Sequence, residues 1–444
     1  VPHGGGAANL YADLNRQGIT SGFVGYRMEA YSARVLCIIK DGVSVNEAKE
    51  GEEIELVTEE TPFYGESGGQ LGDTGIIIAK GLSIKVTDVQ RPTPDIILHK
   101  CTIEEGTVSV EDTVELVPDI ERRSATARNH TATHLLQSAL RKTLGEHIRQ
   151  AGSLVGMDSL RFDFNHFEAM TGEELKTAED FVNRAVIENI KVTTEILAHK
   201  EALKRGALAF FGDKYTEKVR MVKVDSVSTE LCGGTHVSRT GDIGLFKITS
   251  ESSVAAGVRR IEAVTAEKAL EMISQDAAAL KESSRLLRSS ATEVPAKIKR
   301  LMERQKALEK EIAALKGKQK AASALELSAS ARSIGGISVV SALVEAEDPK
   351  ELRIIADGIR VKLGSGIIVL GSKSGSKAFL LSAVTKDLTA RFSAGKIIKK
   401  LAPIIGGRGG GKADLAQAGG TDPAKLAAAI EQSYKEIEEM AGDK

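Results

Sequence analysis

Two short runs combine residue type and spacing in a way that suits metal chemistry: His130-Thr131-Ala132-Thr133-His134 and Cys232-Gly233-Gly234-Thr235-His236. Each pair is spaced i,i+4, which on a helix puts two side chains on one face about 5–6 Å apart. Imidazole nitrogens with one cysteine sulfur suit a borderline-soft divalent ion, zinc above all. Taken singly, each pair is ordinary: a spaced His pair also fits a surface helix, and a single Cys is usually a small buried hydrophobe. Scarcity separates the readings. The chain has eight His and three Cys, and three of the former and one of the latter fall in these two runs. His130, His134, Cys232 and His236 are therefore candidate ligands of one Zn2+ per chain. Four protein ligands close a tetrahedral shell, the structural pattern, whereas catalytic zinc keeps a position open. Both roles stand on the sequence, although no Glu follows His130 to serve as a His-Glu-x-x-His base.

The first pair needs a helix to bring it together. Ser124 is the expected N-cap, Leu135, Leu136, Ala139 and Leu140 supply an apolar face, and Gly145 ends it. Upstream, from about Phe23 to Val117, short apolar or alternating runs between Gly and Asp-Gly turns predict a small β-barrel or folded sheet. Residues 150–265 mix strands with a helix over Thr171 to Ile190, and the Cys motif falls on a loop or a loop-to-helix turn. Beyond Ala266 the chain is rich in Ala, Leu, Glu and Lys, with a break at Glu293-Val294-Pro295 that predicts two helices. In the second, Ile298, Leu301, Leu308, Ile312 and Leu315 follow a heptad with Gln305 in one core slot, a coiled-coil seam. From Ala331, strands alternate with helices. The run Gly406-Gly407-Arg408-Gly409-Gly410-Gly411-Lys412 reads there as a loop whose backbone can approach a phosphate or ribose, although it lacks Walker A spacing.

The expected class is α+β: residues 1–22 a linker or remnant of a preceding region, 23–120 a β-barrel-like part, 121–265 a zinc-binding α+β core. A helical hairpin or coiled coil over 266–330 and a small α/β domain over 331–444 complete it. With 444 residues and 42% hydrophobic content, about three sizeable cores are available. Three Cys without paired spacing argue against a disulfide framework and for a reducing, cytoplasmic setting. No apolar run approaches membrane-span length. The opening Val1-Pro2-His3-Gly4-Gly5-Gly6 reads as the start of a fragment or processed product. The net charge of −1 hides an asymmetry: residues 1–120 carry 20 acidic and 9 basic groups, while Lys377 to Lys412 holds eight Lys or Arg against Asp387 alone. The first region repels nucleic acid, and the second attracts phosphate.

Four stretches together resemble the alanyl-tRNA synthetase family: Thr61-Pro62-Phe63-Tyr64-Gly65-Glu66-Ser67-Gly68-Gly69-Gln70, the His130/His134 pair, Leu231-Cys232-Gly233-Gly234-Thr235-His236, and the glycine-rich run ending at Lys412. The order is the family's, and the match covers nearly the whole chain. The resemblance implies that family's C-terminal half, an editing domain followed by a C-terminal tRNA-contacting domain. Nothing here looks like the family's class II aminoacylation core, so this chain alone should not join alanine to tRNA with ATP. It implies instead hydrolysis of mischarged Ser-tRNA(Ala) and Gly-tRNA(Ala). A pocket that admits a methyl group rejects neither an added hydroxyl nor a smaller side chain strongly, so a second site must do so.

By resemblance Thr61 matches the threonine taken to contact the serine hydroxyl, and Gln70 closes the matching turn, which makes both candidate catalytic-pocket residues. Read from residue type alone, they are satisfied turn residues. Arg122, Arg123, Arg128 and Arg259 are candidates for the phosphates of the acceptor end, and Arg408 and Lys412 for the outer body of tRNA(Ala). The C-terminal region is where a homodimer would form. With 4% aromatics and no Trp, shape and phosphate contacts suit RNA recognition better than base stacking. The rival readings are a free-standing alanyl-tRNA editing protein, a non-catalytic zinc-stabilised tRNA-binding module, and a DHH-type phosphoesterase, for which the Asp-His-His run is missing.

Overall fold

The computed structural model describes residues 6–208 and 217–442, which divide into two compact units, 1–282 and 283–444. Most of the Val1–Gly6 opening lies outside the described residues. The segment expected as a linker forms helix α1 (Gly6–Arg16), whose Leu14 is buried among Cys37, Ile39, Val57, Ile96 and Leu98.

The acidic region is a closed β-barrel. Strands β1 (Tyr31–Lys40), β2 (Glu53–Thr58), β3 (Gly75–Ala79), β4 (Leu82–Thr93), β5 (Ile96–Glu105) and β6 (Thr113–Pro118) pair antiparallel in the order β6-β3-β4-β5-β2-β1. Pairing of β6 with β1 closes the ring and removes the sheet edges. Alternation along the strands sends Ile38, Leu56, Ile84, Ile103 and Leu116 into one core, while Cys37 and Ile39 face α1.

The chain then enters helix α2 (Ile120–Leu144). It starts five residues earlier than expected: Asp119 rather than Ser124 is the N-cap, its carboxylate accepting from Arg122 N–H at 3.0 Å. An ionised carboxylate is a strong cap, and it also meets the positive end of the helix dipole. Gly145 ends the helix as expected, at φ 120°. Leu135, Leu136, Ala139 and Leu140 pack with Phe162, Phe164, Ile261 and Ala263 of a four-stranded antiparallel sheet, ordered 150–155, 160–165, 258–265, 246–255. A three-stranded sheet (192–198, 218–224, 228–231) ends immediately before the Cys motif.

Two helices follow, Ala266–Leu287 and Val294–Ala329, with a 3-10 turn at the predicted break. The heptad residues Ile298, Leu301, Leu308, Ile312 and Leu315 are about half exposed. The second unit carries a six-stranded mixed sheet with apolar clusters on its two faces: Val339 and Ile367 lie on one, Val340 and Ile368 on the other. Its glycine-rich run departs from expectation. Gly407–Gly411 is an edge strand paired with Leu415–Gly420, not a loop. A Cβ at 407, 409 or 411 would come within 2.4 Å of that neighbouring strand, so these glycines serve strand pairing. Among the described residues, no helix is long and apolar enough to cross a membrane.

Candidate metal centre

His130 and His134 lie one turn apart on α2, where the first turn is tied to the barrel by a buried ion pair. Arg123 donates to Asp73 and, at 2.5 Å, to the carbonyl of Pro62, while Asp73 also accepts the amide of Tyr64. Arg123 is thus a structural cation rather than a phosphate contact. The second pair is not helical. Residues 232–237 form an irregular loop after the strand Ser228–Leu231, so i,i+4 spacing does not by itself bring Cys232 to His236. Gly234 makes the approach possible, since a Cβ there would sit 2.0 Å from the His130 ring.

The result is one cluster. A donor atom from each of His130, His134, Cys232 and His236 lies within 4.8 Å of the others, and the Cys232 sulfur is 3.3 Å from Nε2 of both His130 and His236. The surrounding hydrogen bonds determine which imidazole nitrogen is free. Thr235 N–H can only donate, so the Gln70 atom 2.9 Å away is its oxygen. His130 Nδ1, 2.7 Å from that oxygen, must then carry a proton, which leaves Nε2 as the lone pair. Thr131 donates its hydroxyl proton to Ala127 O and accepts from Val237 N–H, so His236 Nδ1 donates to it at 3.1 Å and again frees Nε2. His134 Nδ1 lies 3.2 Å from Glu230 Oε2, though without good hydrogen-bond alignment. His130 and His236 are each oriented through Nδ1 by a protein oxygen, as metal-ligating histidines generally are.

The electrostatics agree. Burial first, then neighbouring His134 and Arg220, hold His130 well below the usual histidine range. His236 is lowered likewise, and His134 falls to about 3. All three are neutral at physiological pH, the form that binds metal. Burial pushes Glu230 up to about 7. Three neutral imidazoles and a thiol, with the Nδ1 protons of His130 and His236 directed outward, fit the donor set of a zinc ion.

The other predicted site residues are placed less openly. Gln70 is fully buried, its amide donating to Thr235 Oγ1 at 2.9 Å while its oxygen receives Thr235 N–H and His130; it joins the barrel to both metal motifs. Thr61 is also fully buried, 2.8 Å from His99 Nε2, and accepts Phe63 N–H. Arg259 donates through Nε and Nη2 to the two carboxylate oxygens of Glu251, and Arg128 reaches Asp242 O and Glu267. Arg408 and Lys412 are exposed, in the second unit. Sequence reasoning missed Thr131, Glu230, Arg220 and Tyr26. Arg220 Nη1 donates to the carbonyls of Cys232 and Gly234 at 2.9 Å each, its guanidinium lies 4.2 Å from the centre of the Tyr26 ring, and the Tyr26 hydroxyl donates to Gly233 O.

The family pattern for class II (A) tRNA synthetases matches residues 5–122, that for the threonyl and alanyl tRNA synthetase second additional domain matches 219–262, and that for the DHHA1 domain matches 336–439. The second of these contains Arg220, Cys232 and His236. The alanine–tRNA ligase of Desulfosudis oleivorans is 46% identical over 425 residues, which are 95% of this chain and 48% of that protein. That of Anaeromyxobacter dehalogenans is 48% identical over 410 residues, 92% of this chain and 45% of the relative. The crystallised C-Ala domain of Aquifex aeolicus alanyl-tRNA synthetase is 28% identical over 24% of this chain and 97% of its own length, with a TM-score of 0.23. The chain spans about half the length of the curated relatives it matches, and over that span it belongs to the alanyl-tRNA synthetase family.

Proposed function

We propose that this chain is a proofreading hydrolase that cleaves the ester joining serine or glycine to the 3′-terminal ribose of tRNA(Ala). The observation that supports it most is the convergence of one imidazole nitrogen from each of His130, His134 and His236 with the Cys232 sulfur beside a loop contributed by the barrel. Zinc held by His130, His134, Cys232 and His236 would supply polarisation of an ester carbonyl or acidification of a water. The chain's own residues do the arranging. Gln70 fixes the His130 tautomer and the turn at Thr235, which makes it a positioning residue. Burial keeps the imidazoles neutral.

Thr61 is suited to reading a hydroxyl. Leu56 O can only accept, so His99 Nδ1, 2.9 Å away, carries the proton and Nε2 accepts from Thr61. The threonine oxygen receives Phe63 N–H through one lone pair and keeps the other; because Thr61 is fully buried, a substrate hydroxyl, which serine has and alanine lacks, would reach it only on displacement of the residues that cover it. Arg408 and Lys412 would meet the tRNA body, and a pair of chains joined through the C-terminal region belongs to the same reading. The ion pairs of Arg128 and Arg259 make them weaker phosphate contacts, since each would have to exchange an internal partner.

One assay tests the proposal: the chain is incubated with Ser-tRNA(Ala), Gly-tRNA(Ala), Ala-tRNA(Ala) and an oligonucleotide, with and without chelator. Selective, chelator-sensitive loss of the seryl and glycyl esters is expected. Release of nucleotides would point to a phosphoesterase, and binding without turnover to a tRNA-binding module.

A further inference from the structure

The Cys232–His236 loop holds two adjacent glycines, the residues that lose most freedom on ordering, so something must select its one convergent conformation. The three successive carbonyls of Cys232, Gly233 and Gly234 are all captured on one side. Arg220 takes the first and third, and the Tyr26 hydroxyl takes the second. Tyr26 in turn lies beneath the Arg220 guanidinium and edge-on to Phe23, with ring centroids 4.7 Å apart. Arg220 is anchored through its own backbone as well, its carbonyl accepting Cys232 N–H at 3.0 Å.

Peptide planarity carries this capture to the metal side. In a trans peptide the C=O and the following N–H point in opposite directions, and none of the described peptides is cis. Holding Gly233 O on Tyr26 therefore turns Gly234 N–H toward the Cys232 sulfur, which it meets at 3.4 Å. Holding Gly234 O on Arg220 turns Thr235 N–H toward Gln70 Oε1, the same oxygen that fixes His130 Nδ1. We propose that Arg220 and Tyr26 form a positioning clamp for the metal centre, which acts through the 232–234 carbonyls to aim one N–H at the ligand sulfur and another at the glutamine that sets the His130 tautomer. Neither residue belongs to the cluster of ligand atoms. The clamp rests on the reading of the cluster as a zinc site, and its effect is on metal binding before it is on hydrolysis.

The test measures zinc affinity by competition with a chromogenic chelator, and the absorption of the Co2+-substituted protein in the thiolate charge-transfer and ligand-field regions. Arg220→Met should weaken zinc by about 10- to 100-fold, the usual cost of losing an outer-shell partner. Arg220→Lys keeps the charge but lacks the planar fork that spans two carbonyls, so it should stay close to the Met variant. Tyr26→Phe keeps the ring and loses one hydrogen bond, for a drop of roughly 3- to 10-fold and a shifted Co2+ spectrum. Tyr26→Phe is the mildest change and decides the matter should Arg220→Met fail to fold. Wild-type affinity and an unaltered Co2+ spectrum in Tyr26→Phe or Arg220→Met would overturn the clamp, as would full recovery by Arg220→Lys. So would a wild-type chain that binds neither ion. A wild type that binds zinc but leaves seryl-tRNA intact would overturn the proposed hydrolysis and leave the clamp standing.

Discussion

His99 in the barrel is like His130 beside Cys232 in burial, in a lowered pKa and in having Nδ1 directed at a protein oxygen, and half-buried His236 shares the last two. They differ at Nε2. That of His99 receives the Thr61 hydroxyl and is spent within the fold, whereas those of His130 and His236 face a shared sulfur and one another. Burial and a lowered pKa are therefore common to a core histidine and a ligand histidine. What separates them is a lone pair left without a proton donor and aimed where others converge.

The sharpest way to break that contrast is to remove the shared sulfur. Cys232→Ala should lower zinc affinity by at least about 100-fold and seryl-ester hydrolysis with it, whereas His99→Phe should leave stoichiometric zinc in place; metal content after dialysis reads both. Gly234→Ala comes next. The new methyl would overlap the His130 ring, so overpacking of about 1–3 kcal/mol should appear as lost zinc and a lower melting temperature.

Acid titration separates the two kinds of histidine by a smaller margin. Burial lowers His99 from 6.5 to about 4 in the folded chain, so below pH 6.5 the unfolded state binds the proton first. Stability should fall as pH drops from about 6.5 to about 4, by up to about 3 kcal/mol from this residue. Denaturant melts of His99→Phe should show a flatter pH slope than wild type across that window, and an equal slope would sink the assignment. Thr61→Val follows. It should leave zinc unchanged and narrow the preference for seryl over alanyl ester by roughly 10-fold, read from initial hydrolysis rates. The smallest effect on either histidine site belongs to Arg408→Glu combined with Lys412→Glu. Zinc affinity should stay within about two-fold, while tRNA binding weakens and loses part of its salt dependence.

The four residues that converge were readable because His and Cys are rare here and because α2 gives its pair a helical frame. The i,i+4 argument holds for His130 and His134 only. For Cys232 and His236 the loop and its clamp replace it. The partners were not readable for a physical reason: Tyr26 to Gly233 and Gln70 to Thr235 span 207 and 165 residues. Nothing local distinguishes a Tyr, Gln or Arg so engaged from one at the surface. The barrel was legible from alternation, but its closure depends on β6 returning to β1. Ser124 stands closer to the apolar face than Asp119 and so looks the better cap in sequence, and the glycines at 407–411 suggest a loop unless the neighbouring strand is known.

The span between Tyr26 and Gly233 also sets a timetable. At about 5–20 residues per second, the ribosome needs roughly 10–40 s to travel from one to the other. The barrel and α2 emerge first, with Gln70 and two imidazoles in place and no loop to receive them. Completion of the cluster thus waits for the 232–236 loop, and a product stalled before it would carry His130 and His134 without Cys232 and His236.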